Sequence, residues 1–129
     1  MSATPPSRPR VLVVEDEFII ALDLAETVKD IGFTVEGPFS DKPSAFRALD
    51  GGMPDAAILD VWINDGEVFP LADALAEAGV PIIFHSGHVD PAEIAARYPH
   101  ALACSKPCPP TIIIGALQDA VEYRTSASA

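Results

Sequence analysis

The sequence predicts a single α/β domain built on a doubly wound, five-stranded parallel sheet. Three observations carry that expectation. Short apolar runs alternate five times with segments that bear helical start and stop residues. The connections are short, so successive strands run parallel through right-handed helical crossovers. The length, 129 residues with 49% apolar and 21% charged, suits one domain able to bury its own core.

Val11-Leu12-Val13-Val14 is a continuous apolar run, as a strand buried on both faces requires. Phe18, Ile19, Ala21, Leu22, Ala25, Val28 and Ile31 then recur at helical spacing, and Gly32 supplies the stop. Residues 33–37 form a shorter, more polar second strand, expected near an edge. Pro43 opens a helix to Leu49, closed by Gly51-Gly52. Residues 56–59 are the third strand, residues 68–78 the third helix and residues 81–84 the fourth strand. Asp90-Pro91-Ala92-Glu93 is a helix entry with a capping Asp, a proline at the first position and a capping-box Glu. Pro99 ends that helix. Residues 101–104 are a weak fifth strand, and Pro109-Pro110 opens a last helix that turns Ile113, Ala116, Leu117, Ala120 and Val121 inward. Residues 1–9 are expected to be a disordered leader and residues 124–129 a flexible tail, with residues 10–123 as the domain.

Composition narrows the function. Eight Lys and Arg against 19 Asp and Glu leave a formal charge of −11, which argues against direct binding to nucleic acid. No run of about 18 apolar residues signals membrane insertion, and the N-terminus lacks a signal-peptide pattern. A cytoplasmic protein is the expectation. Cys104 and Cys108 are accordingly read as reduced thiols, either small buried hydrophobes or, as the alternative, a redox pair. Without a companion Cys or His pair in sequence, a structural zinc site is not expected.

Ligands of such sheets bind beyond the carboxyl ends of the strands, so the residues just after each strand carry the functional signal. Glu15, Asp16 and Glu17 follow the first strand, Asp60 the third, Ser86 the fourth and Ser105-Lys106-Pro107 the fifth. Two carboxylates about 4 Å apart repel by about 4 kcal/mol at an effective dielectric near 20. Gathering acids there serves no structural purpose unless a cation relieves them, and an all-oxygen set suits Mg²⁺. The competing reading makes Glu15 and Asp16 first-turn acids of a helix, Asp60 a cap, Ser86 a loop hydroxyl and Lys106 a solvated surface residue. Glu17 is read as the helix-start residue. Acids in the first loop oppose a flavin or dinucleotide phosphate, and no Gly-x-Gly-x-x-Gly, P-loop or Gly-x-Ser-x-Gly pattern occurs.

The residues Val11-Leu12-Val13-Val14-Glu15-Asp16-Glu17, Leu59-Asp60-Val61, Ser86-Gly87 and Lys106-Pro107 resemble the receiver domain of two-component response regulators. The resemblance covers residues 10–123 and implies a flavodoxin-like (βα)5 fold with strand order 2-1-3-4-5. It implies that Asp60 is the phosphoacceptor, that Glu15, Asp16, Asp60 and the Trp62 backbone carbonyl hold Mg²⁺, and that Ser86 and Lys106 meet the phosphoryl oxygens. It also implies that the Lys106–Pro107 bond is cis.

The expected function is that of a stand-alone response regulator that takes a phosphoryl group from a sensor histidine kinase or a histidine phosphotransfer protein. It would signal through a downstream protein partner, or act as a phosphate sink or shuttle. Such a domain catalyses its own phosphotransfer and dephosphorylation, yet is a signalling protein rather than a conventional enzyme. Two features of the motifs depart from the family. The loop after Asp60 reads Asn64-Asp65-Gly66 and looks shortened, and Ala103 stands where an aromatic switch residue is usual. Ser86, Phe84 and His88 are the switch candidates instead. The departures sustain an alternative, a receiver-like module whose interactions do not depend on phosphorylation. A metal-dependent phosphohydrolase is a further class, disfavoured because Trp62 stands where such enzymes place a second acid.

Overall fold

The computed structural model describes residues 8–87 and 90–128, with side chains through residue 122. Its five-stranded sheet combines β1 (Arg10–Val14), β2 (Thr34–Phe39), β3 (Ala56–Leu59), β6 (Ile82–Ser86) and β7 (Leu102–Ser105) in the order β2-β1-β3-β6-β7, all parallel. Numbered by its parallel strands alone, that order is 2-1-3-4-5, as the resemblance implies. Helices α1 (Phe18–Asp30), α2 (Lys42–Leu49), α3 (Phe69–Glu77), α4 (Pro91–Arg97) and α5 (Pro110–Ser128) cover the two faces.

The side-chain period of two divides each central strand between two cores. Leu12, Val14, Ala57, Leu59, Ile82 and Phe84 face a cluster completed by Ala45, Leu71, Leu75 and Ile94 from α2, α3 and α4. Val11, Val13, Ala56, Ile58 and Ile83 face Leu24 and Val28 of α1 and Ile113 and Leu117 of α5. Both faces of β1 and β3 are therefore buried, which is why their sequences are unbroken apolar runs.

Five local features differ from expectation. The buried stripe of α1 is Ala21-Leu24-Ala25-Val28, so Phe18 and Ile19 stand 74% exposed and Leu22 also faces outward. The inward stripe is set by what packs beneath the helix, not by apolarity alone. Between β3 and α3 a small antiparallel ribbon forms from β4 (Trp62–Ile63) and β5 (Gly66–Glu67), so the short loop is an ordered turn. Helix α5 continues through Ser128 where a flexible tail is expected. Propagation adds a hydrogen bond for each residue fixed, so polar residues prolong an established helix. Cys104 and Cys108 form a disulfide, not a pair of free thiols. The turn after β7 brings their Cα atoms to 5.9 Å, inside the range a bridge requires.

Strand β2 also runs two residues past Gly37. Register passes from Leu12↔Glu36 to Val14↔Phe39, so β2 spends an extra residue in a bulge. Gly37 adopts φ +105°, and a Cβ there would lie 2.8 Å from the Val13 carbonyl oxygen and the Phe39 nitrogen. The bulge lets the Phe39 carbonyl accept from the Glu15 N–H at 2.9 Å, which ties the first acid of the site to the sheet edge. Gly37→Ala should therefore cost about 2 kcal/mol or more in urea unfolding. A variant as stable as the wild type would show that the bulge is not constrained.

Candidate functional site

The carboxyl ends of β1, β3, β6 and β7 deliver four polar side chains to one point. Glu15 follows β1 and is 2% exposed; Asp60 follows β3 and is 5% exposed. Ser86 closes β6, and Lys106 follows β7 directly. The Ser86 hydroxyl donates to Asp60 Oδ1 at 3.0 Å, and the Trp62 N–H approaches the same oxygen at 3.4 Å. The other oxygen, Oδ2, accepts from Lys106 Nζ at 2.8 Å. That ammonium also lies 2.8 Å from Glu15 Oε1 and 3.2 Å from Glu17 Oε1. The Lys106–Pro107 peptide bond is cis.

Charge is badly unbalanced. Glu15, Asp16, Glu17 and Asp60 each place a carboxylate oxygen within 4.8 Å of the others, against the single ammonium of Lys106. Burial is the largest influence on Glu15 and pushes its carboxyl up to about 7, more than the Lys106 contact lowers it. Burial acts on Asp60 in the same sense. There, however, hydrogen bonds from Lys106, from the protonated form of Glu15 and from Ser86 prevail, and the carboxyl is held below its ordinary value. Asp60 is thus the ionised member of the pair. The ammonium is held well above the usual lysine range, its carboxylate contacts outweighing its own burial.

Glu15 Oε1 is buried, and the Lys106 ammonium at 2.8 Å is its one contact outside the acid cluster among the described residues. An under-satisfied buried oxygen beside three further carboxylates is the environment a hard divalent cation relieves. The donor set therefore fits Mg²⁺.

Sequence reasoning placed Glu15, Asp16, Asp60, Ser86 and Lys106 at one edge, and the structure brings them together there. Trp62 lies beside Asp60 with its indole half exposed. Glu17 is the residue sequence reasoning undervalued. It is the N-cap of α1 without capping through its side chain, and its carboxylate turns to Lys106. Phe84 is fully buried within an aromatic group, its ring 6.4 Å from Phe69 and 5.2 Å from Tyr98 between centroids. Ala103 sits opposite Phe84 in register, so the aromatic volume here comes from Tyr98 and Phe69. Tyr98 donates to Asp73 Oδ1 at 2.6 Å, and Arg97 lies 4.2 Å above the Phe69 ring. His88 lies outside the described residues.

No family model matches the chain. It is 27% identical over 120 residues to the phyllosphere-induced regulator PhyR of Methylorubrum extorquens, across 91% of this chain and 45% of that protein. It is 38% identical over 75 residues to the transcriptional regulatory protein PdtaR of Mycobacterium tuberculosis, across 57% of this chain and 37% of that protein. The chain thus spans less than half the length of either curated relative. Among solved structures, it is similar to a response regulator receiver protein from Sinorhizobium medicae, with a TM-score of 0.79 and 26% identity over 91% of this chain and 97% of that one. No helix of the described residues is long and apolar enough to cross a membrane.

Proposed function

Because the chain is a response-regulator receiver domain, we propose that it accepts a phosphoryl group on Asp60 from the phosphohistidine of a sensor kinase or a histidine phosphotransfer protein. The observation that carries this reading is the Asp60 carboxylate, ionised and held between the Ser86 hydroxyl and the Lys106 ammonium. An Asp60 oxygen attacks phosphorus, the phosphorus–nitrogen bond breaks and the donor imidazole leaves. Phosphoryl transfer asks a protein chiefly for positioning and charge. Lys106 then meets one phosphoryl oxygen as an ion pair, and Ser86 donates a hydrogen bond to another. Glu15, Asp16, Asp60 and the Trp62 carbonyl are the groups to hold Mg²⁺, with Glu17 beside them. When bound, the ion supplies positive charge against the phosphoryl oxygens.

The readout is a protein–protein interaction that changes with phosphorylation, or service as a phosphate sink or shuttle. Ser86 and Phe84 are the candidate switch residues on β6. Ala103, small where the family usually has a ring, favours a second reading, a receiver-like interaction module indifferent to phosphorylation.

Intact mass separates the two. Incubation with Mg²⁺ and acetyl phosphate should add one phosphoryl group, absent when EDTA is present. A folded protein that takes up Mg²⁺ but never gains that mass would favour the indifferent module.

The raised carboxyl of Glu15 makes a further expectation. Below about pH 7 a proton competes with the cation, so Mg²⁺ uptake, followed by Trp62 fluorescence, should tighten from about pH 6 to about pH 8. The same group sets the metal-free stability. Its folded value lies above its unfolded one, so its contribution is present in acid and lost as pH rises through about 7. Asp60 acts oppositely, its contribution being lost as pH falls below the ordinary carboxylate range. Uptake independent of pH would remove Glu15 from the ligand set.

A further inference from the structure

The Cys104–Cys108 disulfide closes a ring of five residues whose central member is Lys106. The cation of the acid site is therefore carried on a cross-linked turn, with one sulfur at the end of β7 and the other just before α5. Cys104 is partly exposed, whereas Cys108 packs beside Ile113 and Leu117. A second observation points to the same place. His85 lies opposite Cys104 in the β6–β7 register and is 5% exposed. Neither of its ring nitrogens has a hydrogen-bond partner among the described residues. With Cys108, Lys106, Pro107 and Glu17 it lines a cavity of about 750 Å³ between α1 and α5. A buried imidazole without a partner is costly in a finished core. Free thiols are what the adjacent bridge would supply to it.

We propose that Cys104 and Cys108 are a thiol–disulfide exchange site, reduced by a small dithiol, and that its state sets how firmly Lys106 is held against Asp60 and Glu15. The reductant's thiolate attacks one sulfur, the Cys104–Cys108 bond breaks and a mixed disulfide forms. Its second thiolate resolves that bond, leaving two cysteine thiols and an oxidised, cyclised reductant. Two electrons and two protons pass from the reductant to the protein. In the reduced state a thiol has His85 as its hydrogen-bond partner, and the turn bearing Lys106 loses its cross-link. Only the consequence for signalling rests on the phosphoacceptor reading; the exchange and the lysine's mobility do not.

The test uses the full chain, oxidised with oxidised glutathione or reduced with dithiothreitol, without denaturant. Iodoacetamide should add no group to the oxidised protein and two to the reduced one. Acetic anhydride labelling, mapped to Lys106, should be severalfold faster in the reduced form, as expected when a loop held by one cross-link gains freedom. Labelling of Lys29 on α1 should not change. The Cys104→Ser/Cys108→Ser variant should match the reduced wild type and ignore dithiothreitol; if it does not fold, the reduced wild type alone decides. In a fixed glutathione buffer His85→Leu should raise the oxidised fraction. Two alkylated thiols after oxidation, or a bridge resistant to dithiothreitol in the folded chain, would overturn the exchange site. Equal Lys106 labelling in both forms would overturn the coupling, and an unchanged oxidised fraction in His85→Leu would overturn the histidine's part. A chain that never takes a phosphoryl group, yet shows these differences, would sink the proposed function and leave the exchange site standing.

Discussion

Asp60→Asn should abolish the gain of a phosphoryl group from acetyl phosphate and Mg²⁺ while leaving the fold intact. The amide occupies the same volume but is not a nucleophile, and nothing else in the site replaces it. Glu15 shares the ammonium, yet its carboxyl is pushed up to about 7 and is largely protonated where Asp60 is fully ionised. Asp16 and Glu17 are more exposed and have no hydrogen bond from Ser86. Stability should change little. The substitution loses the 2.8 Å contact with Lys106, but removes one carboxylate from a crowded acid cluster, and both effects are of order a few kcal/mol at an effective dielectric near 20. Lys106 keeps Glu15 and Glu17 as partners. Intact mass and thermal melts of the same samples check both halves. Full labelling of the variant would show that another residue is the acceptor.

The sequence made the sheet legible because its central strands are buried on both sides, and such strands are written as unbroken apolar runs. The site was legible for a related reason: the topology sends the ends of those strands to one edge, so Glu15, Asp60, Ser86 and Lys106 converge once the strands are placed. What stayed hidden depended on contacts across the fold. The ribbon of β4 and β5, two residues in each strand, is too short to leave a period. Phe18, Ile19 and Leu22 fit a helical repeat, but which repeat faces inward is decided by the neighbouring β-sheet and α5. Glu17 looks like a helix opener because it is one, and only the position of Lys106, 89 residues later, shows where its carboxylate goes. The pairing of His85 with Cys104 belongs to the β6–β7 register, which sequence spacing does not contain.

Lys106→Met should have the opposite signature in stability. Its ammonium is the only cation in contact with Glu15 and Asp60 among the described residues, at 2.8 Å from each, and its side chain is 14% exposed. Methionine keeps most of the stem and deletes the charge. Two buried acids are then left facing one another, and removing one partner of a buried ion pair costs about 3 kcal/mol. The loss should be greatest above about pH 7 without metal and should shrink as pH falls and Glu15 takes up its proton. Lysine's own raised value places its contribution throughout this range, so deprotonation of the wild type does not mimic the variant. Millimolar Mg²⁺ should restore more stability to Lys106→Met than to the wild type, since the ion meets acids that have lost their ammonium. Adding Asp60→Asn to Lys106→Met should recover part of the loss, because the remaining acid no longer faces a second charge; the double-mutant cycle reads that coupling directly. Urea unfolding of the four proteins, at about pH 6 and about pH 8, with and without Mg²⁺, makes the comparison. A Lys106→Met protein as stable as the wild type at the higher pH without metal would mean that these acids are already relieved by solvent, and the case for a cation site among them would fall with it.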